Sequence, residues 1–380
     1  MIPFNRPCLV GNEFEYMRAA LEQGQLAGNG VFTKCCSRWL ELNTGCIKAL
    51  MTHSCTAALE MAALLLDLGP GDEVIMPSFA FVSTANAFVL RGATPVFVDV
   101  RPDTLTIDPG LVERAVTPRT KAIVALHYAG GACDMDALME IAARHALAIV
   151  EDAAQAILSS YRGKPLGSIG TFGTLSFHET KNVFSGEGGA LLINDARYVE
   201  RAEMLWEKGT NRKQFFLGAV DKYTWVDVGS SFLPSELICA FLRAQLESAQ
   251  QSTSIRLGLW RRYHDAFEGL EAAGRIRRPI VPDGCHHNAH MYYLLTGDGV
   301  VRANLLAALH EAGIGAVFHY VPLHSSPAGR RFGRAVGPFA VTDDVAARLI
   351  RLPLWTDLSA QQIDTVIDGV HRALAQARYA

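Results

Sequence analysis

The stretch Ser176–Asp195, "SFHETKNVFSGEGGALLIND", closes one apolar run, crosses a glycine-rich turn and opens another, with a single lysine, Lys181, at the crossing. Most lysines are solvated surface charges, so a long cation at the mouth of a buried sheet needs a reason. Period-two geometry puts Ser176 and His178 of "GTLSFHETK" (173–181) on one strand face and Leu175 and Phe177 on the other, and His178 alone reads best as a satisfied core histidine.

Outward from this stretch, similar short runs recur: "DEVIMP" (72–77), "TPVFVDV" (94–100), "KAIVALHY" (121–128), "LAIVEDAAQ" (147–155) and "GALLIND" (189–195). They are rich in Val, Ile, Leu and Phe without alternation, as strands buried on both faces are, and amphipathic stretches such as "CTAALEMAALLLDLG", "MDALMEIAARHA" and "ARYVERAEMLWEKG" lie between several of them. The pattern predicts an α/β fold whose mostly parallel sheet is flanked by helices. Ligands of such sheets gather outside the carboxyl ends of the strands, where Ser78 to Phe81, His127, Asp152 and Lys181 all fall. After about residue 250 the character changes to a long helix over "STSIRLGLWRRYHDAFEGLEAAGRI", then "HMYYLLTG", the helix "VRANLLAALHEAG", a strand over "IGAVFHYVPLH" and a last helix from about Ser359. The expected division is therefore a large unit over 1–250, its N-terminal segment able to pack on the second unit, and a smaller C-terminal α+β unit over 251–380.

Asp152 ends an apolar strand, and a buried carboxylate needs a cation or several donors; capping the next helix would be the plain alternative. Ser54, Cys55 and Thr56 open a helix whose first amides lack partners, which makes either an ordinary cap or a phosphate cradle. A phosphate cradle, a buried acid, an aromatic ring in "PSFAFVST" and a lysine at one sheet edge are together what is needed to hold pyridoxal 5′-phosphate (PLP). The lysine bonds the aldehyde, the acid keeps the ring nitrogen protonated and the aromatic ring stacks on the cofactor.

Bulk properties narrow the alternatives. With 49% apolar and 19% charged residues and a net charge of −3, the 380-residue chain offers no overall footprint for nucleic acid or an anionic membrane. No apolar run approaches the roughly 18 residues of a membrane span, and the start "MIPFNRPCLVGNEFEY" lacks the pattern of a signal peptide, so a cytoplasmic location is expected. The eight cysteines are scattered with no CxxC pair, which predicts free thiols and no metal site.

Over nearly its full length the chain resembles the PLP-dependent sugar aminotransferases of the DegT/DnrJ/EryC1/StrS group, a branch of fold type I, and within it the dTDP-4-amino-4,6-dideoxygalactose transaminases. The resemblance rests on "CTAALEMAALLLDLGPGDEVIMPSFAFVSTANAFVLRGA", "FVDVRPDT", "HYAGGACDMD", "VEDAAQ", "SFHETKN", "EGGALLIND", "EKGTNRKQFFLGAVDKYTWVDVGSSFL" and "FHYVPLH". It implies Lys181 as the cofactor-bonding lysine, Asp152 as the partner of the ring nitrogen, Gln155 beside the 3′-oxygen and Phe81 as the stacking ring. Thr56, Ser176 and the Cys55 backbone are implied at the phosphate, Cys55 standing where relatives carry Gly. Ser231 stands where many relatives carry an Asn that crosses a dimer interface to the phosphate, so a homodimer with shared sites is implied.

The implied reaction is transfer of an amino group from L-glutamate, leaving 2-oxoglutarate, to C4 of a dTDP-4-keto-6-deoxyhexose, with the cofactor passing through its pyridoxamine 5′-phosphate form. The product feeds cell-surface polysaccharide (lipopolysaccharide or O-antigen) synthesis, with the galacto epimer favoured and gluco, or another nucleotide sugar, as alternatives. Lys208 and Arg212 are candidates for the nucleotide phosphates, and His319, Tyr320 and His324 for the sugar pocket. Three competing readings carry less. A sugar 3-dehydrase of the same superfamily would replace the lysine with His; a nicotinamide dehydrogenase would need GxGxxG before a helix, whereas "SGEGGA" enters a strand; a non-enzymatic relative would lose Lys181 or Asp152.

Overall fold

The computed structural model describes residues 1–376; the last four positions of the expected C-terminal unit, 377–380, lie outside the described residues. Seven strands, β1 (Lys48–Thr52), β2 (Glu73–Pro77), β3 (Thr94–Val98), β4 (Thr120–Leu126), β5 (Ala148–Asp152), β6 (Phe172–Ser176) and β7 (Gly189–Ile193), are joined by a short late strand, β11 (Arg334–Ala335), in the order β1-β7-β6-β5-β4-β2-β3-β11. Each run read from the sequence overlaps one of these strands. Strand β1, "KALMT" (48–52), is not among them.

Side chains of each strand alternate between two apolar layers, as a pleat requires. Ile123 and Ala125 of β4 join Met51, Ile75 and Ile149 on one face, while Ala122, Val124 and Leu126 join Leu50, Val74 and Phe172 on the other. Helices close both layers, among them α1 (Glu13–Glu22), α2 (Val31–Thr44), α3 (Cys55–Leu65), α4 (Val82–Val89), α5 (Met135–His145), α6 (Val199–Trp206) and α7 (Glu236–Glu247).

The sheet is parallel except at β7, which pairs antiparallel with both β1 and β6. No helix lies between β6 and β7 to carry the chain back across the sheet, so the connection reverses the strand direction. The Lys181 turn is that connection. His178 lies beyond the end of β6, half-buried, with its Nδ1 2.9 Å from the Thr180 hydroxyl, so the expected core histidine is instead a turn residue.

A second sheet is formed by β8 (Ile276–Arg277), β9 (Tyr292–Thr296), β10 (Val317–Phe318) and β12 (Leu349–Leu352), in the antiparallel order β8-β9-β12-β10. Helices α8 (Ala249–Ala266), α9 (Gly299–Glu311) and α10 (Ala360–Gln376) pack on it around Trp260, Tyr263, Tyr292, Leu309 and Ile363. The strand expected over "IGAVFHYVPLH" shrinks to Val317–Phe318, because Pro322 donates no hydrogen bond and a short helical turn, Leu323–Ser325, follows. Ile2 bridges to Ile314, its amide donating to the Gly313 carbonyl at 2.8 Å, which brings the first residues of the chain onto this second sheet region.

Gly189 pairs with Thr52 on one side and Ser176 on the other, and a Cβ there would collide with the Ser54 and Cys55 backbone. The start of α3 thus sits directly on β7. A Gly189→Ala change should lower the unfolding free energy by about 1–3 kcal/mol in a denaturant titration, since backbone rather than a flexible side chain has to give way.

Candidate active site

Asp152 is the last residue of β5 and only 3% exposed. Its Oδ2 accepts the Thr84 hydroxyl proton at 2.7 Å and its Oδ1 accepts the Ala154 amide at 3.2 Å. Among the described residues no Lys or Arg lies within ion-pair distance of it. Such a carboxylate has acceptor capacity to spare and a burial penalty to offset, which suits a protonated ring nitrogen.

Beside it, Ser54 caps α3 by accepting the Ala57 amide at 3.1 Å, so the first amides of the helix, those of Cys55 and Thr56, have no acceptor within it. Thr56 donates its hydroxyl to Ser83 Oγ at 2.9 Å, and Ser176, at the end of β6, is buried on the same strand-end edge. The residues expected at the phosphate thus come together at one strand-end edge. The Cys55 thiol is pushed up, chiefly by burial and then by the Asp152 charge, so it stays neutral.

Lys181 is half-buried, its amide donating to the His178 carbonyl at 2.9 Å to close the turn. Burial pushes its amine down from the ordinary lysine value; the Asp152 carboxylate draws it partly back up, and Arg351 pushes it down. A free amine at moderate pH is what attack on an aldehyde requires. Lys181 opens into a cavity of about 320 Å3 that is also lined by Gln155, His319 and Tyr320. Gln155 is oriented by the Ala129 amide, which donates to its Oε1 at 2.7 Å. Phe81, 49% exposed at the start of α4, tilts against Tyr320 with ring centroids 5.0 Å apart.

Other expected residues fall elsewhere. Ser78 and His127 are wholly buried: Ser78 Oγ lies 2.7 Å from Nδ1 of His324, and His127 Nε2 lies 2.9 Å from Glu151. His324 is stacked on Phe339 with centroids 3.8 Å apart and does not line the Lys181 cavity. Arg212 lines a separate cavity of about 660 Å3 with Lys213 and Phe216, close to the Lys208 turn, and Ser231 is exposed, bridged to Glu207. Sequence reasoning missed Thr84, whose threonine three residues after Phe81 sits on the first turn of the same helix, and also Arg256 and Arg351 of the Lys181 cavity.

Residues 7–371 match the DegT/DnrJ/EryC1/StrS aminotransferase family. The chain belongs to that family. It is 33% identical over 377 residues to the spore coat polysaccharide biosynthesis protein SpsC of Bacillus subtilis, covering 97% of this chain and 96% of that one. Its fold matches the aminotransferase TlmJ from Streptoalloteichus hindustanus with a TM-score of 0.91 at 31% identity over 100% of both chains. It matches the putative sugar aminotransferase Spr1654 from Streptococcus pneumoniae in its PMP form with a TM-score of 0.91 at 28% identity, over 99% of this chain and 100% of that one. The architecture is that of fold type I, and PLP is the cofactor of this aminotransferase family.

The residues present suit that cofactor: the acid lacks a cation, burial loosens the hold of the amine on its proton and the helix start has free amides. Treating the protein with PLP and borohydride should add one cofactor mass to the peptide carrying Lys181, and Lys181→Ala should abolish it. Because the amine reacts only when unprotonated, attachment should accelerate with rising pH and reach its plateau below the usual lysine value of about 10.4. Thr84→Val should slow the glutamate half-reaction by roughly 10–100-fold in stopped-flow absorbance, the cost of one hydrogen bond to a charged group.

Proposed function

We propose that this aminotransferase moves the amino group of L-glutamate to C4 of a dTDP-4-keto-6-deoxyhexose, giving the dTDP-4-amino-4,6-dideoxyhexose of galacto configuration for cell-surface polysaccharide synthesis in the cytoplasm. The observation that carries the transfer reaction is a lysine, Lys181, that lines a cavity, is loosened toward its neutral form by burial and lies within electrostatic reach of the cation-free carboxylate of Asp152. The sugar assignment draws support from the motif resemblance and from the polysaccharide and sugar roles that SpsC and Spr1654 carry in their names.

When bound, PLP supplies an aldehyde that takes up the amino group and a ring that accommodates the electron pair left by the departing α-proton. Asp152, fixed by Thr84 and Ala154, would hold the proton on the ring nitrogen. Cys55, Thr56 and Ser176 would hold the phosphate, Gln155 the 3′-oxygen and Phe81 one ring face. Lys181 would take the α-proton of glutamate in the first half and deliver a proton to C4 of the sugar in the second. The face on which Lys181 stands relative to C4 decides the epimer.

Segment 207–231 supports a homodimer. It exposes Phe216 (69%), Leu217 (72%) and Trp225 (78%), more apolar surface than a monomer usually leaves open. In this reading the segment carries Lys208, Arg212 and Ser231 to the partner's site, the first two to the nucleotide phosphates and Ser231 to the cofactor phosphate. A Phe216→Asp, Trp225→Asp double variant should sediment as a monomer and lose most turnover.

The function is tested by incubating the PLP-loaded protein with L-glutamate and dTDP-4-keto-6-deoxyglucose and reading the product's C4 configuration by NMR. An equatorial amine would overturn the galacto assignment, and no amino sugar at all would overturn the substrate. Asp152→Ala should lower the rate by about 10²–10³, the scale of one main electrostatic contribution.

A further inference from the structure

The Lys181 cavity contains two more cations, Arg256 and Arg351, and not one Asp or Glu. Arg256 projects from α8 on the buried stripe that also carries Ser252, Thr253, Trp260 and Tyr263, and is only 4% exposed. Its Nε donates to the Ala289 carbonyl at 3.1 Å and its Nη2 to the His290 carbonyl at 2.7 Å. Among the described residues its Nη1 has no acceptor, and no carboxylate lies within ion-pair distance. Burial brings this guanidinium down to about 10, a value still high enough to keep it charged at neutral pH.

A buried charge fixed by neutral carbonyls and left without an anion is costly in a folded chain, unless a ligand supplies the anion. Arg351, on β12, is half-buried between the rings of Phe4 and Tyr320, 5.4 and 5.2 Å from their centroids. Its Nη2 donates to the Phe318 carbonyl at 2.8 Å, and its buried Nε has no partner among the described residues.

The two arginines and the lysine form one field. His290 is kept neutral first by burial and then by the charges of Lys181, Arg256 and Arg351 acting together. His319, whose Nε2 has no partner among the described residues, is likewise neutral through burial, then through Arg351, so neither imidazole dilutes or competes with the guanidinium pair. Asn182, next to Lys181, donates to the Asn288 carbonyl at 2.8 Å, and residues 289 and 290 hold Arg256, so a short chain of bonds sets Arg256 relative to the lysine.

We propose that Arg256 and Arg351 bind the two carboxylates of the amino donor, Arg256 the deeper one and Arg351 the one nearer the mouth, and so select a dicarboxylic amino acid over monocarboxylic ones. The inference rests on the transfer reaction proposed above and assigns the donor's site within it. A cavity of about 320 Å3 is at the small end of ligand sites and suits an amino acid lying against Lys181 better than a nucleoside diphosphate. Two guanidinium groups offer a forked geometry that matches two carboxylates.

The test is calorimetric titration of the PLP-loaded protein with glutarate, with butyrate as the one-carboxylate control and thymidine 5′-diphosphate as the nucleotide control. Glutarate should bind at least tenfold more tightly than butyrate. Arg256→Lys, which keeps the charge but loses the fork, and Arg351→Gln should each weaken glutarate at least tenfold and raise the KM for glutamate in parallel, while thymidine diphosphate affinity changes less than twofold. Retained cofactor absorbance certifies that each variant is folded.

Unchanged glutarate binding in both variants overturns the proposal, as does a loss in only one of them, which would leave a single-carboxylate site. A loss of thymidine diphosphate binding in place of glutarate also overturns it and gives the cavity to the nucleotide. Normal glutarate losses in a protein that aminates no keto sugar would overturn the sugar assignment and uphold this one. Sugar amination with an unaltered glutamate KM would do the reverse.

Discussion

A buried carboxylate without a cation of its own organises this molecule. Asp152 is held by a hydroxyl from α4 and an amide from its own loop, so its position is fixed while its charge is left for a ligand to balance. Lys181, across the same strand ends, has the opposite tendency: burial favours its neutral form. A lysine loosened toward its neutral form can take up and return a proton at moderate pH, which is what transfer chemistry at this edge calls for. The start of α4 serves both sides of the arrangement, since Phe81 opens the helix and Thr84 reaches Asp152 from its first turn.

The acidic pair Glu151–Asp152 shows how the pleat separates structure from chemistry. One residue earlier on β5, Glu151 points the other way and is fully buried, accepting amides from Gly167, Ile169 and Gly170 at 2.6–2.8 Å. His127 adds its Nε2–H, since its Nδ1 already accepts the Cys133 amide at 3.2 Å. Glu151 therefore pins the loop behind the sheet, with every strong acceptor direction used, and has nothing left for a ligand. A charge saturated by backbone amides is structural; a charge with spare capacity at a strand end is available for function.

Much of this was legible in the sequence because it depends on local rules. The apolar runs found their strands, and the Ser54 cap and the Lys181 turn follow from residues close in the chain. The direction of β7 was not legible, because "GALLI" is buried on both faces and looks alike in either direction; the structure shows it antiparallel to both neighbours, joined to β6 by a connection without a helix. Ser78, His127 and His324 carry polar side chains in the right segments, and only the packing of distant elements reveals that they bond one another or Glu151. Arg256 is a cation on the stripe of its helix that carries Trp260 and Tyr263, a departure from amphipathic pattern that marks a buried charge, although Ser252 and Thr253 on the same stripe are polar. Arg351 is the same kind of signal inside "LIRLPLW".

What turns these separate pieces into a working cavity is the seam between residues 78–81 and residues 319–324. Ser78 bonds His324, Phe79 stacks on His319 with centroids 3.8 Å apart, and Phe81 meets Tyr320. The His319 ring is further held through its Nδ1, 3.2 Å from the Tyr128 hydroxyl. Because Tyr320 also packs on the Arg351 guanidinium, and Arg351 bonds the Phe318 carbonyl, the wall opposite Lys181 is referenced to the loop after β2. Aromatic contacts of this kind are short-ranged and directional, so a shift of even an ångström in the second sheet would be resisted by several rings at once. The cations of the cavity are thereby kept in register with the lysine and the carboxylate, although they arise from strands and helices that belong to different sheets.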